Sequence, residues 1–147
     1  MSHLAVSNTS ALSASRWSIW TGRALSGLVI LFLVIDAGMK IAAVPIVSES
    51  AAMIGWTSDP GFWRAMGLLL LAITALYAWP RTAVLGAILL TGYLGGAVAT
   101  HARIGDPLFS HTLFGVYLGI ALWGGLWLRD ARVRSLLPVS RVRGAQT

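Results

Sequence analysis

Four segments of this chain are long and apolar enough to cross a lipid bilayer, and this feature constrains the fold more than any other. A membrane-spanning helix needs about 20 mostly apolar residues. Segments of that kind occupy about residues 17–43, 61–79, 82–101 and 111–128. None of them alternates apolar and polar residues with a period of two, the pattern of a membrane-spanning β-strand. The sequence therefore predicts an all-α integral membrane protein, an antiparallel four-helix bundle embedded in a lipid bilayer.

The connections between the spans fit such a bundle. The second and third spans are separated only by Trp79-Pro80-Arg81, which is short enough to require an antiparallel helical hairpin. Residues 44–60 are too few and too polar to span, and residues 48–54 favour a short amphipathic helix on the membrane surface. Pro45 either ends the first helix or begins the next one.

The charge content agrees with a membrane location. Charged residues make up 11% of the 147 residues and the mean hydropathy is +0.75, whereas about 25% of a soluble domain is charged. The net charge of +6 comes from a scarcity of acidic residues, and a nucleic-acid-binding protein instead has a high density of basic ones. Cysteine is absent, which excludes disulfides, thiolate chemistry and cysteine-ligated metals.

Basic residues near the ends of the spans predict the orientation, because cytoplasmic segments are enriched in Lys and Arg. Four spans place both termini on one side. That side holds eight basic residues: Arg16, Arg23, Arg81, Arg129, Arg132, Arg134, Arg141 and Arg143. The other side holds three: Lys40, Arg64 and Arg103. We therefore predict a mobile cytoplasmic tail over residues 1–15, a four-span domain over 16–130 and a basic cytoplasmic tail over 131–147.

Asp36 and Lys40 are ionisable residues within the first span, and such residues in a membrane are functional candidates. They stand four residues apart, so they share a helix face and are able to pair. Asp36 lies about 18 Å from Ala24 along the helix axis at 1.5 Å per residue, which places it in the outer half of the membrane. Two interpretations stay open: a proton-handling polar site, or a structural ion pair that locks the helix in the bundle.

The remaining ionisable residues of the spans lie at the same outer level. His101 ends the third span and His111 begins the fourth, where it continues a helical stripe through Gly115 and Leu118. Arg64 lies in the first turn of the second span and is expected either to anchor the interface or to pair with an acidic residue. The two histidines lack the spacing of a zinc motif, so no metal site is predicted, although bis-histidine haem ligation stays open.

These observations predict one polar site at the outer mouth of the bundle. Its candidate residues are Asp36, Lys40, Arg64, His101, Arg103, Asp106 and His111. Two pairs of glycines at four-residue spacing, Gly92 with Gly96 and Gly115 with Gly119, allow close helix packing. We expect them to pack the third span on the fourth, with packing between two protomers as the alternative.

Several of these residues occur in strings that resemble the DoxX-like family of small membrane proteins. The string Asp36-Ala-Gly-Met-Lys-Ile is similar to the family's Gly-x-Lys-Leu signature at the end of the first span. The strings Met53-Ile-Gly-Trp56, Gly95-Gly-Ala-Val-Ala-Thr-His-Ala-Arg-Ile-Gly-Asp106 and Leu-Trp-Leu-Arg-Asp130 are similar to later parts of the family pattern. The resemblance covers about residues 17–138. One departure is that many relatives have a Glu early in the second span, where this chain has Gly67-Leu-Leu-Leu-Leu-Ala.

The resemblance implies a four-helix protein of the bacterial inner membrane. The wider group includes the small subunit of a thiosulfate:quinone oxidoreductase, which suggests an accessory subunit of a redox system with a bound quinone. Two alternatives are a binder or carrier of a small hydrophobic molecule, expected to be a homodimer, and a structural partner in a larger membrane complex. The sequence does not decide whether the chain is an enzyme.

Overall fold

The described part of the chain consists of helices and their connections. The structure, a computed structural model, describes the backbone of residues 3–136 and the side chains of residues 16–134. The helices are α1 (His3–Ala42), α2 (Pro45–Met53), α3 (Pro60–Ala78), α4 (Ala83–Arg103), a π-helical turn (Leu108–Thr112), α5 (Phe114–Arg129) and α6 (Ala131–Leu136). Most of the predicted basic tail, residues 137–147, lies outside the described residues.

Four helices are long and apolar enough to cross a membrane, which confirms the predicted fold class. They are Arg16–Ala42, Pro60–Ala78, Ala83–Arg103 and Leu108–Arg129, and every boundary lies within three residues of the predicted one. The backbone of α1 is helical back to His3, so it includes most of the segment assigned to the N-terminal tail. The mobility and the cytoplasmic location of that tail stay predictions.

The four spanning helices form a ring in which each contacts two neighbours. Helix α1 packs against α3 and α5, and α4 packs against the same two helices. Helices α1 and α4 therefore occupy opposite corners of the bundle, as do α3 and α5. We call the end with the α3–α4 turn and α6 the termini end, and the end with α2 and the π-helical turn the loop end.

The connection from α1 to α2 is a tight turn around an alanine with a left-handed backbone. Ala43 has φ of 51°, a conformation that costs an L-residue about 1–2 kcal/mol. The backbone N–H of Val44 donates to the carbonyl of Met39 at 3.2 Å, which closes the helix C-terminus. Pro45 is the first residue of α2, so the second of the two sequence interpretations is the one found.

At the termini end, a buried hydrogen-bond network joins three helices. The Tyr77 hydroxyl of α3 donates to the Leu122 carbonyl of α5 at 2.8 Å. Its oxygen lies 3.0 Å from Ser26 Oγ of α1, and Ser26 is the donor there because the tyrosine proton is already engaged. The Arg129 guanidinium lies 5.1 Å from the Tyr77 ring and donates to its carbonyl at 3.3 Å. The Tyr77 and Ser26 hydroxyls are thus satisfied within the protein, as a membrane interior requires, whereas Nε of Arg129 is buried without a hydrogen-bond partner in the described chain.

Candidate functional site

The loop-end half of the bundle contains a cavity of about 470 Å³. Helices α1, α3, α4 and α5 all contribute to its wall, and Ile54 and Trp56 of the α2–α3 connection line it as well. Aromatic rings form much of this wall: Phe32, Trp56, Phe62, Trp63, Tyr93 and Phe114. The cavity is thus a mostly apolar, partly open space between the helices whose loop-end termini contain the predicted polar residues.

The face that α4 presents to this cavity has little side-chain volume. Gly92, Gly96 and Thr100 follow one another at four-residue spacing, with Ala97 and His101 beside them, and all line the cavity. A Cβ added at Gly92 or Gly96 would meet no atom within 4 Å. The space therefore exists partly because these two positions lack side chains.

The other predicted glycine pair behaves differently at its two positions. A Cβ added at Gly115 would lie 2.8 Å from Val98 Cγ2 and 3.0 Å from the Leu94 carbonyl oxygen, so Gly115 lets α5 approach α4 closely. A Cβ at Gly119 would meet nothing within 4 Å. Packing of the third span on the fourth thus accounts for Gly115 and not for Gly92, Gly96 or Gly119.

Asp36 and Lys40 form an ion pair on the α1 wall of the cavity. The Lys40 Nζ atom lies 2.5 Å from each carboxylate oxygen of Asp36. The Asp36 side chain is 27% exposed and the Lys40 side chain is 14% exposed, so the pair is mostly buried. Each charge neutralises the other, which makes the pair a fixed dipole at the edge of the cavity.

His101 is oriented by a carboxylate from the turn that follows α4. Its Nδ1 atom lies 2.5 Å from Asp106 Oδ2. Gly105 has φ of 72° and the N–H of Asp106 donates to the His101 carbonyl at 3.1 Å, a turn that folds the chain back over the helix end. The buried Thr112 hydroxyl donates to the Asp106 carbonyl at 3.1 Å. The backbone thus holds Asp106 beside the imidazole.

His111 lies in the π-helical turn and faces the same end of the cavity. Its ring centroid is 6.2 Å from that of His101, and its Nδ1 atom lies 2.8 Å from Ser110 Oγ. In the described part of the chain, neither histidine forms a hydrogen bond through Nε2. The Nε2 atoms are therefore the ring nitrogens that remain for a molecule in the cavity.

Arg103 holds the α2–α3 connection over the cavity without lining the cavity itself. Its guanidinium donates to the Ile54 carbonyl at 2.8 Å. The adjacent rings of Trp56 and Phe62 are stacked at 5.6 Å, and the Phe62 and Trp63 rings meet edge to face at 5.3 Å. These three rings form an aromatic side of the cavity wall.

The sequence of this chain matches the DoxX-like family over residues 24–125, which is more than two thirds of its 147 residues. The chain belongs to the DoxX-like family. The matched region includes Asp36, Lys40, His101 and His111, and therefore the polar end of the cavity. No curated protein and no solved structure matches the chain significantly.

Among the predicted site residues of this DoxX-like protein, Arg64 is the one placed apart. Its side chain is exposed, it does not line the cavity, and no ion pair joins it to a described acidic residue. Asp59 instead caps α3, with its carboxylate accepting from the N–H groups of Gly61 at 3.2 Å and Phe62 at 2.9 Å. Asp36 is already paired with Lys40. Of the two interpretations of Arg64, pairing with an acidic residue is not found among the described side chains, and a role as an interface anchor stays a prediction.

Sequence reasoning missed the aromatic wall of the DoxX-like cavity, although a helical signal for it exists. Phe32 precedes Asp36 by four residues, and Tyr93 and Ala97 precede His101 by eight and four. Residues at such spacing share a helix face, so Phe32 could be predicted to lie beside Asp36, and Tyr93 and Ala97 to lie on the face of His101. The π-helical turn at Leu108–Thr112 had no comparable signal.

The donors in this site favour hydrogen bonding to an organic molecule. Among the described side chains of residues 16–134, no group of three or more His, Asp or Glu is arranged to hold a metal ion. The polar end instead combines two imidazoles with an ammonium–carboxylate pair, and the rest of the cavity is apolar. Such a combination is typical of pockets for small organic molecules.

Proposed function

We propose that this DoxX-like protein is an accessory membrane subunit of a quinone-linked redox system and that the loop-end cavity binds the quinone head group. The observation that carries the proposal is that His101, His111 and the Asp36–Lys40 pair all line one aromatic-rich cavity of about 470 Å³. Ligand pockets commonly measure about 300–1,000 Å³ and are apolar with a few placed polar groups.

The residues of the cavity fit the chemistry of a quinone head. Its flat ring suits the faces and edges of Phe32 and Phe114, whose centroids are 5.3 Å apart. Its oxygens lie at the ring edge, and the polar residues of the cavity wall include Lys40, which is able to donate to them, and the two histidines. When bound, a quinone supplies two-electron, two-proton chemistry, while the chain binds and orients the ring and holds polar groups at its oxygens.

The accessory role follows from what the side chains of this protein are able to do. The chain contains no cysteine, so it has no thiol–disulfide couple of its own. Its cavity residues donate and accept protons and hydrogen bonds. We therefore assign electron transfer to a partner protein in the same membrane complex.

The proposal also includes the orientation of the bundle. Because eight of the eleven Lys and Arg residues lie at the termini end or in the tails, we place that end in the cytoplasm. The cavity then opens towards the outer face of a bacterial inner membrane. A fluorescent reporter that matures only in the cytoplasm, fused after Thr147, should be bright, and a dark fusion with full expression would reverse the orientation.

The binding experiment uses the intact protein purified in a mild detergent. Solvent extraction followed by mass spectrometry should recover a quinone. After delipidation, titration with decylubiquinone should quench tryptophan fluorescence, because Trp56 and Trp63 line the cavity. A protein that retains no quinone and shows no quenching would refute the proposal.

A matched pair of glycine variants tests whether the cavity is the binding site. Gly96→Leu places a side chain into the cavity, and Gly38→Leu places the same side chain at an α1 position that also has nothing within 4 Å and does not line the cavity. Quenching should be lost in Gly96→Leu and kept in Gly38→Leu, with similar melting temperatures. Loss in both variants, or in neither, would place binding elsewhere.

The second candidate function, a carrier of another small hydrophobic molecule, is favoured by the predominance of apolar groups in the wall. A panel of quinones, sterols and fatty acids separates the two, since a ligand raises the melting temperature according to its affinity and concentration. A rise with quinones and not with the others supports the redox assignment, and the reverse pattern supports the carrier.

A further inference from the structure

We infer that the cavity is built for the reduced, hydroxyl-bearing quinol rather than for the quinone, because His101 presents a hydrogen-bond acceptor to the ligand. This inference rests on the proposed function and specifies which ligand form the site prefers. It follows from the contact between Nδ1 of His101 and Asp106.

The carboxylate of Asp106 determines which nitrogen of His101 carries the hydrogen. An ionised carboxylate only accepts hydrogen bonds, and a neutral imidazole has one N–H donor and one bare nitrogen acceptor. Since Nδ1 lies 2.5 Å from Asp106 Oδ2, Nδ1 is the donor. When the ring is neutral, Nε2 is therefore the acceptor.

The turn at Gly105 keeps this arrangement in place. Asp106 donates through its backbone N–H to the His101 carbonyl at 3.1 Å and accepts from the Thr112 hydroxyl at 3.1 Å. These two backbone contacts restrain the position of the carboxylate relative to the ring. The tautomer is thus imposed by the fold around α4 and not by the ligand.

A quinone carbonyl and a quinol hydroxyl meet this acceptor differently. A quinone carbonyl oxygen only accepts hydrogen bonds. Placed opposite Nε2, it would leave both the carbonyl oxygen and Nε2 without a donor. Polar atoms that are unsatisfied away from water are unfavourable. The hydroxyl donates to Nε2 and satisfies both atoms. His101 therefore discriminates between the two oxidation states of one molecule.

The neighbouring polar groups do not discriminate in this way. Nδ1 of His111 faces the Ser110 hydroxyl, which donates or accepts and so permits either tautomer of that ring. Lys40 donates to a carbonyl oxygen and to a hydroxyl oxygen alike. The preference consequently resides in the His101–Asp106 pair.

The wild-type test compares decylubiquinol, decylubiquinone and the dimethyl ether of the quinol by tryptophan quenching. It is performed anaerobically at about pH 8, because mildly alkaline solution favours a neutral imidazole over an imidazolium. Decylubiquinol should bind about tenfold more tightly than the other two, a factor typical for one unsatisfied buried acceptor. Equal binding of quinol and quinone would overturn this inference and leave the proposed function standing, whereas binding of neither would overturn both.

The variant test changes the tautomer without removing the side chain. Asp106→Asn presents either an acceptor or a donor to Nδ1, so both tautomers become accessible and the preference for decylubiquinol should fall towards unity. Ser110→Ala, the control, should weaken both ligands equally and keep the ratio. If Asp106→Asn still binds decylubiquinol about tenfold more tightly than decylubiquinone, the role of the His101–Asp106 pair is overturned. If this variant does not fold, the comparison of decylubiquinol with its dimethyl ether in wild-type protein tests the same role.

Discussion

The termini-end and loop-end halves of the bundle both contain glycines at helix faces, with opposite results. At the termini end, a Cβ on Gly22 would lie 2.8 Å from the Gly125 carbonyl oxygen, and one on Gly86 would lie 2.3 Å from the Tyr77 nitrogen. There the absent side chain brings two backbones together. At the loop end, Gly92 and Gly96 have nothing within 4 Å, and the absent side chain leaves space.

The polar groups of the two halves also differ, because the hydroxyls at the termini end bond to one another and the histidines at the loop end leave ring nitrogens without a partner among the described residues. The Tyr77 hydroxyl forms both of its hydrogen bonds inside the protein, with Leu122 and Ser26. His101 and His111 each use only Nδ1 within the described chain, and we propose that Nε2 serves a ligand. A closed network stabilises the fold, whereas an incomplete one prepares a binding site.

The largest expected effect is the contrast between glycines of the two halves. Gly86→Ala places a methyl group against the backbone of α3 and should lower the free energy of unfolding by about 3 kcal/mol. Gly92→Ala, with open space, should change it by less than about 0.5 kcal/mol. Thermal unfolding in detergent measures both effects. Similar melting temperatures for the two variants would contradict the proposed difference between glycines of the two halves.

Next in size is the effect of separating the Asp36–Lys40 pair. Lys40→Met leaves the Asp36 carboxylate without its partner in the membrane and should destabilise the protein by about 3 kcal/mol. The double variant with Asp36→Asn removes both charges and should recover most of that loss.

Quinone binding by the double variant resolves the two interpretations of the pair. If the stable double variant still binds decylubiquinone, the pair is a structural lock. If it is stable and no longer binds, the pair contributes directly to the site.

A smaller effect is expected from the closed network at the termini end. Tyr77→Phe removes the hydroxyl that serves Leu122 and Ser26 and should cost about 2 kcal/mol. Because the cavity lies in the other half, affinity for decylubiquinone should stay within a factor of about 2. A large loss of affinity with little loss of stability would contradict the separation of the two halves.

The smallest expected effect concerns Ala43, whose φ of 51° is unfavourable for a residue with a Cβ. Ala43→Gly relieves that strain and should stabilise the fold by at most about 1 kcal/mol, since glycine also loses more entropy on folding. The melting temperature should rise slightly and ligand affinity should be unchanged. A lower melting temperature would show that the turn is not under strain.

The spans and the polar residues of the site could be predicted because a membrane penalises polar groups. Ionisable residues are rare in apolar spans, so Asp36, Lys40 and His111 stood out in the sequence. The predicted pairing of Asp36 with Lys40 needs only one helix, and the structure shows it at 2.5 Å.

Other features could not be predicted because they depend on a neighbouring helix. A glycine promotes packing or leaves a void according to what faces it, so Gly115 and Gly92 look alike in the sequence and differ in the fold. Tyr77 likewise reveals its role only once Ser26 and Leu122 are beside it. The left-handed turn at Ala43 carries no residue typical of that conformation.

The ring of helices has a mechanical consequence. Four helices that pack mainly against their neighbours are able to shift past one another unless contacts between opposite helices, across a diagonal of the ring, hold them. The hydrogen bonds from Tyr77 to Leu122 and from Arg129 to Tyr77 join α3 and α5 across such a diagonal, and both lie at the termini end. Among the described side chains, no hydrogen bond or ion pair spans a diagonal at the loop end. We therefore expect a bound ligand to widen the bundle more at the loop end than at the termini end.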